Sequence, residues 1–189
     1  KSVSDNITNY FNNSAKDIAE TLEKLGIQSA HIFGCSLGAL VGLVFAKTYP
    51  EKVKSLTLSG IIPKKPVGWE EMVKQETENT AKVLESSETV SYFDDIHEGD
   101  WRALLYSTQD ADWYPFDETA DLSMLKMPVL FLVGEQNAHE TIGAITYPKM
   151  NRNIHVSIIP FAGHVVHLEQ PEIYNKIVED FIIKAKSLV

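Results

Sequence analysis

The chain has 189 residues, of which 44% are hydrophobic, and a formal net charge of −9. This length and composition allow one substantial core, so we expect one domain with an insertion. The negative charge argues against a nucleic-acid or membrane surface, and the single cysteine, Cys35, excludes an internal disulfide. No apolar run approaches the ~20 residues that span a bilayer. Together with the free thiol, these features predict a cytoplasmic protein.

The first third of the chain alternates between helical and strand patterns. Residues 14–25 place apolar side chains on one helical face, with a capping box at Ser14 and a stop at Gly26. Small residues in the next helical segment would allow close approach to a sheet. The predicted elements after Gly26 are a strand over 28–33, a helix over 37–47 and a strand over 52–60.

Residues 63–124 interrupt this alternation with amphipathic, aromatic-rich sequence that contains all three tryptophans. Between Lys64 and Asp121 there are five basic and fifteen acidic residues, so this segment carries the negative charge of the chain. We interpret it as a helical insertion. After it, strands are predicted over 127–135 and 153–163, and helices near 140–147 and 171–186. Strands that alternate with helices predict an α/β fold with a mostly parallel sheet.

The segment Gly34-Cys35-Ser36-Leu37-Gly38 lies where the first predicted strand becomes a helix. A serine between two glycines at such a turn is typical of a nucleophile held in strained backbone geometry. Flanking glycines relieve crowding, and the start of the helix points N–H groups at developing negative charge. This pattern predicts Ser36 as the nucleophile and the N–H of Leu37 as one oxyanion donor.

A nucleophilic serine needs a base, and His164 is the strongest candidate among the six histidines. It follows the last predicted strand on the glycine-containing loop FAGH, where an imidazole can turn toward the ends of the strands. His167 is the rival, three residues further on, at the start of a helix. Two of the remaining histidines, His31 and His155, lie within strands and are interpreted as structural.

These motifs resemble the α/β-hydrolase superfamily, in its branch of small cofactor-free esterases, lactonases and C–C hydrolases. Residues 31–60 are similar to the family's nucleophile strand, elbow, helix and next strand, and residues 158–182 to its histidine loop and final helix. The resemblance implies a hydrolase core over residues 1–62 and 125–189 with a helical cap over 63–124. It implies no cofactor, and the sequence has no metal-ligand spacing. The aromatic residues of the insertion suggest a small, largely apolar substrate. A basic residue such as Arg102 would have to face inward to accept an anionic one.

One position departs from the family pattern. The family's acid follows its strand as glycine, two residues, aspartate, but the matching stretch Gly134-Glu135-Gln136-Asn137 places asparagine there. Asn137 is therefore the predicted third member of the triad, able to orient the imidazole without stabilising its charge. On that basis Asn137→Asp should raise activity on the order of 10² or more. Glu135 and Glu140 are the alternative carboxylates, and the sequence leaves this choice open.

The resemblance also begins late, because the family's first strands precede the helix with which this chain starts. A sheet that ended at residues 29–33 would expose an unpaired apolar edge, which natural proteins avoid. We therefore expect an N-terminal segment outside this sequence, or a second copy of the chain, to complete the sheet.

Two functions remain open from the sequence. The first is a serine hydrolase that cleaves an ester, thioester, lactone or C–C bond through Ser36 and His164. The second is a non-catalytic binding or signalling relative that has lost its acid at Asn137. A dehalogenase or epoxide hydrolase is disfavoured because it would need aspartate at position 36.

Overall fold

The computed structural model describes residues 7–186. The described strands are β1 (Ala30–Cys35), β2 (Val53–Ser59), β3 (Val129–Gly134) and β4 (Ile154–Ile159). The described helices are α1 (Ile7–Lys24), α2 (Leu37–Thr48), α3 (Trp69–Glu85), α4 (Ser87–Ile96), α5 (Trp101–Ser107), α6 (Phe116–Ala120), α7 (Ala138–Met150), α8 (Val166–Glu169) and α9 (Pro171–Ala185). In this part of the chain, no helix is long and apolar enough to cross a membrane.

The strands of residues 7–186 form one parallel sheet in the order β1-β2-β3-β4, which confirms the predicted α/β fold. Cys35 at the end of β1 pairs with Ser59 at the end of β2, and Gly134 of β3 pairs with Ile159 of β4. Because all four strands run in the same direction, the residues that follow them meet at one edge of the sheet. The predicted site residues lie at this edge.

The core of the sheet lies around β3, whose six residues are all buried. Leu130 and Leu132 of β3 pack in one cluster with Val178 and Phe181 of α9. A strand that is apolar on both faces is expected at the centre of a covered parallel sheet. On α2, Gly42 faces the sheet: a Cβ added there would lie 3.4 Å from Ile32 Cγ2 of β1, in ordinary van der Waals contact, so the approach of α2 does not require glycine at this position.

The predicted start of the first helix is wrong. The helix extends back to Ile7, so Ser14 lies in its interior and does not cap it. Phe11 is buried and lies four residues before Ala15, so the apolar stripe continues upstream of the predicted boundary. Gly26, with φ +68°, ends the helix as predicted, but Leu25 beside it is 66% exposed and does not join the buried face.

The described residues divide into two compact units, one of residues 7–10 with Lys65–Pro115, the other of Phe11–Lys64 with residues 116–186. In the first unit, the helices α3, α4 and α5 lie within the segment that was predicted to be a helical insertion. Its aromatic side chains pack on one another: the Trp69 and Tyr114 rings lie 5.7 Å apart, and those of Phe93 and Trp101 lie 5.0 Å apart. These residues therefore contribute to the unit's own packing, while the exact boundaries at 63 and 124 stay a prediction.

Candidate active site

Ser36 lies between the end of β1 and the start of α2, at the predicted turn. Its backbone has φ 55° and ψ −123°, a positive-φ conformation that a non-glycine residue seldom adopts. Ser36 N–H donates to the carbonyl of Ser59 at the end of β2, and this bond ties the turn to the neighbouring strand. The turn is therefore strained and held by the sheet, as predicted for an exposed nucleophile.

The two glycines of the motif have different roles. A Cβ at Gly34 would lie 2.4 Å from the carbonyl oxygen of Gly38, so only glycine fits at position 34. At Gly38 an added Cβ meets nothing within 4 Å, so the expected relief of crowding comes from Gly34 alone. Leu37 is the first residue of α2, and the N–H groups of a first helical turn have no acceptor within the helix. Its N–H is therefore suited to bind an anion.

Cys35 precedes Ser36 and is the other nucleophilic side chain at this turn. Burial raises the pKa of the Cys35 thiol, so the thiol stays protonated at neutral pH. Its Sγ lies 3.9 Å from the carbonyl oxygen of His164, which brings the histidine loop next to the nucleophile turn. The arrangement favours the serine over the cysteine as the reacting group.

His164 is paired with the carboxylate of Glu140. The Nδ1 atom of His164 lies 2.6 Å from Glu140 Oε1, and the Glu140 side chain is only 2% exposed, against 46% for the His164 side chain. An ionised carboxylate can only accept hydrogen bonds, so it selects the tautomer with a proton on Nδ1. Nε2 is then the ring nitrogen that can accept a proton.

Asn137, the predicted third member of the triad, contacts Glu140. As the N-cap of α7 it accepts from the N–H of Glu140 at 3.3 Å, and its Nδ2 donates to Glu140 Oε1 at 2.6 Å. Glu140 thus lies in the first turn of α7, where the helix dipole favours negative charge. The carboxylate that meets the histidine therefore lies three residues beyond the position that the spacing predicted. The Asn-x-x-Glu spacing of a helix cap was the signal in the sequence that could have identified it.

Glu135, the other alternative, is engaged with the backbone of the histidine loop. Its Oε1 accepts from Phe161 N–H at 2.8 Å. Glu169 acts on the same loop, because its two carboxylate oxygens accept from Gly163 N–H at 2.7 Å and Val165 N–H at 2.8 Å. These backbone donors hold the pKa of Glu169 below its usual range. Both glutamates therefore hold the loop that carries His164.

The remaining histidines lie outside this arrangement of Ser36, His164 and Glu140. His167 is in α8, with its ring 5.9 Å from that of Tyr174. His31 shares a 2.7 Å hydrogen bond with Ser55 between β1 and β2, in line with the structural role predicted for it. A cavity of about 990 Å³ opens at the opposite, amino-terminal ends of the strands, and its lining includes His31 and His155 but none of the site residues. The chemistry therefore belongs to the carboxyl edge of the sheet.

Metal ligation is not indicated at this site. Within residues 7–186, no group of three or more His, Cys, Asp or Glu side chains is arranged to hold a metal ion.

Comparison with known proteins gives a match to the family described as "alpha/beta hydrolase fold" over residues 4–86. Among curated relatives, a Bacillus subtilis (strain 168) protein provisionally named 2-succinyl-6-hydroxy-2,4-cyclohexadiene-1-carboxylate synthase is 27% identical, covering 88% of this chain and 70% of its own length. The carboxylesterase nap of the same organism, itself uncharacterised, is 26% identical, covering 96% of this chain and 66% of its own length. The predicted resemblance is confirmed, and these relatives support hydrolase activity in general.

Solved structures show the same fold. The crystal structure of NosK from Streptomyces actuosus has a TM-score of 0.78 and 24% identity, covering 94% of this chain and 78% of its own. A meta-cleavage product hydrolase from Pseudomonas fluorescens IP01 has a TM-score of 0.68 and 17% identity, covering 93% of this chain and 72% of its own. At these identities the likeness establishes the fold alone.

Proposed function

We propose that this chain, which has the α/β-hydrolase fold, is a serine hydrolase of carboxylic esters in which Ser36, His164 and Glu140 act together. The observation that carries the proposal is the 2.6 Å contact between the buried Glu140 carboxylate and Nδ1 of His164, on the loop next to the strained Ser36 turn. The carboxylesterase relative supports the choice of esters as the substrate class.

In the acylation step, Ser36 Oγ forms a bond to the ester carbonyl carbon while Nε2 of His164 takes the hydroxyl proton. The electron pair of the carbonyl moves to its oxygen, and the N–H of Leu37 donates to that oxyanion. The carbon–oxygen bond to the leaving group then breaks, and His164 returns the proton to the departing alcohol. In deacylation, water attacks the acyl carbon while Nε2 of His164 takes a proton from it; the bond from that carbon to Ser36 Oγ then breaks, and His164 gives the proton to Oγ, which releases the acid and free Ser36.

In the proposed reaction, Glu140 supplies a negative charge next to His164, which an asparagine could not supply. Each time His164 takes a proton it becomes a cation, and a carboxylate at Nδ1 stabilises that cation while it holds the ring. Asn137 Nδ2 donates to the Glu140 carboxylate, which lies in the first turn of α7, where the helix dipole favours negative charge. The alternative of a non-catalytic relative was favoured by asparagine at position 137 and by the first strands that this sequence lacks, and the contact of Glu140 with His164 weakens the first of these two arguments.

The test is the rate at which an activated fluorophosphonate labels the protein, together with turnover of p-nitrophenyl acetate. Ser36→Ala should abolish both. Glu140→Gln keeps the size of the side chain and removes its charge, and we expect turnover to fall on the order of 10²–10⁴, as when a triad carboxylate becomes an amide.

Glu135→Gln is the matched control for Glu140→Gln. It makes the same chemical change five residues earlier, and its amide oxygen can still accept from Phe161 N–H, so turnover should change less than about tenfold. Labelling that survives in Ser36→Ala would refute the nucleophile. Equal effects of the two glutamate variants would refute Glu140 as the partner of His164.

A further inference from the structure

Gly60 lies at the centre of the candidate site. It directly follows β2 and has φ +70°, in the left-handed region. A Cβ placed on it would lie 2.9 Å from His164 Cε1, 3.3 Å from His164 Nδ1 and 2.9 Å from the backbone N of Ser36. Contacts below 3.0 Å are essentially not seen for real Cβ atoms. The imidazole and the nucleophile turn therefore converge on a point that only a glycine leaves empty.

Left-handed geometry alone does not account for this position. Gly26, with φ +68°, and Gly68, with φ +79°, have the same conformation, but an added Cβ at either meets nothing within 4 Å. At those two positions, glycine is required only by the positive φ of the backbone. At Gly60 the side of the residue that would carry a Cβ is also occupied by the imidazole and by the amide of Ser36.

The atoms that approach Gly60 are those on which the proposed reaction depends. Cε1 joins the two ring nitrogens of His164: Nδ1, which is bonded to Glu140, and Nε2, which is the proton acceptor in the proposed reaction. A side chain at position 60 would push the ring at this carbon, and displacements of about 1 Å are known to cost on the order of 10² in rate.

We propose that Gly60 is a positioning residue that sets how closely the imidazole of His164 can approach Ser36. This inference rests on the proposed function, because it assigns Gly60 a role through His164 and not through contact with substrate. The bound substrate is not displaced by this mechanism, so the effect should fall on the catalytic step.

Gly60→Ala and Gly26→Ala form a matched pair for the test. Both place alanine at nearly the same positive φ, so both should lower the melting temperature by a similar backbone contribution. Only Gly60→Ala should lower the fluorophosphonate labelling rate and kcat, by about tenfold or more, with KM changed less than about twofold. A purely structural role of Gly60 would lower the active fraction of the protein and leave the kcat of the folded fraction unchanged.

A second measurement does not depend on activity. If the added methyl group meets the imidazole, Gly60→Ala should lower the melting temperature less in a His164→Ala background than in the wild type. This comparison remains valid when Gly60→Ala alone fails to fold, because recovery of folding in the double variant is then the expected result. The measurement also separates the positioning role of Gly60 from the proposed hydrolase function. Labelling that persists in Ser36→Ala would refute the function, but it would not change the coupling between Gly60 and His164 in melting temperature.

The positioning role would be overturned by either of two results. One is a labelling rate for Gly60→Ala equal to that of Gly26→Ala. The other is a loss of melting temperature that is the same with and without the imidazole of His164.

Discussion

Asn137→Asp tests the assignment of Glu140 most directly, because the sequence and the structure predict opposite results. The family spacing predicts that aspartate at position 137 restores a lost acid and raises activity. In the structure, Asn137 Nδ2 lies 2.6 Å from Glu140 Oε1. The substitution replaces a hydrogen-bond donor with a second carboxylate at this short distance.

The expected cost has two parts. A hydrogen bond to a charged group, worth about 1.5–3 kcal/mol, is lost. Two unit charges about 4 Å apart repel by about 4 kcal/mol at an effective dielectric constant of about 20. The pair will relieve most of this repulsion by moving apart or by taking up a proton, and either change weakens the hold of Glu140 on His164. With most of the repulsion relieved, the loss that remains is close to that of the hydrogen bond, about 1.5–3 kcal/mol. Because each 1.36 kcal/mol corresponds to about tenfold in rate, we expect kcat to fall on the order of 10- to 100-fold.

The assay is p-nitrophenyl acetate turnover in four proteins: wild type, Asn137→Asp, Glu140→Gln and the double variant. Asn137→Asp should lower turnover in the wild-type background and raise it in the Glu140→Gln background, where it supplies the only carboxylate of the pair. This reversal of sign is the signature of two residues that act on one imidazole. An increase in turnover with Glu140 intact would refute the reasoning and return the acid to position 137.

Two further predictions concern Glu169 and Arg102. The pKa of Glu169 is held below its usual value of 4.5 by two backbone N–H groups, so its stabilising effect is complete above pH 4.5 and is lost as the pH falls through the lowered pKa. The melting temperatures of wild type and Glu169→Gln should therefore differ most near neutral pH and converge in acid, whereas a constant difference would contradict this. The Asp94 carboxylate accepts from both terminal guanidinium nitrogens of Arg102 and from Trp101 Nε1, and these hydrogen bonds lower the pKa of Asp94 to about 2. The Arg102 guanidinium also lies 4.3 Å from the Trp101 ring centre. Arg102→Ala should therefore leave the KM ratio of anionic to neutral esters within about twofold, and a selective loss for anionic esters would show that the guanidinium binds substrate.

The sequence by itself predicted those features that depend on neighbours along the chain. The apolar stretch of β3, the alternation of strands and helices, and the glycine at position 34 are local requirements, and each is found where the pattern indicated it. The strain at Ser36 also has a local cause, because a strand that is followed directly by a helix leaves one residue in an unusual backbone conformation. The resemblance to a family with these motifs extended that prediction to the whole fold.

The partner of His164 was decided only by the tertiary structure. Asn137 and Glu140 are three residues apart, and His164 is 24 residues beyond Glu140, so their separation in space depends on how α7 and the histidine loop leave adjacent strands. A capping asparagine turns its side chain back to its own helix, and this leaves the glutamate of the first turn to face the loop. The role of Gly60 could likewise not be predicted from the sequence, because its neighbours come from the turn after β1 and from the loop after β4. Spacing along a chain specifies which groups are available, but only the packing of the sheet edge determines which of them meet.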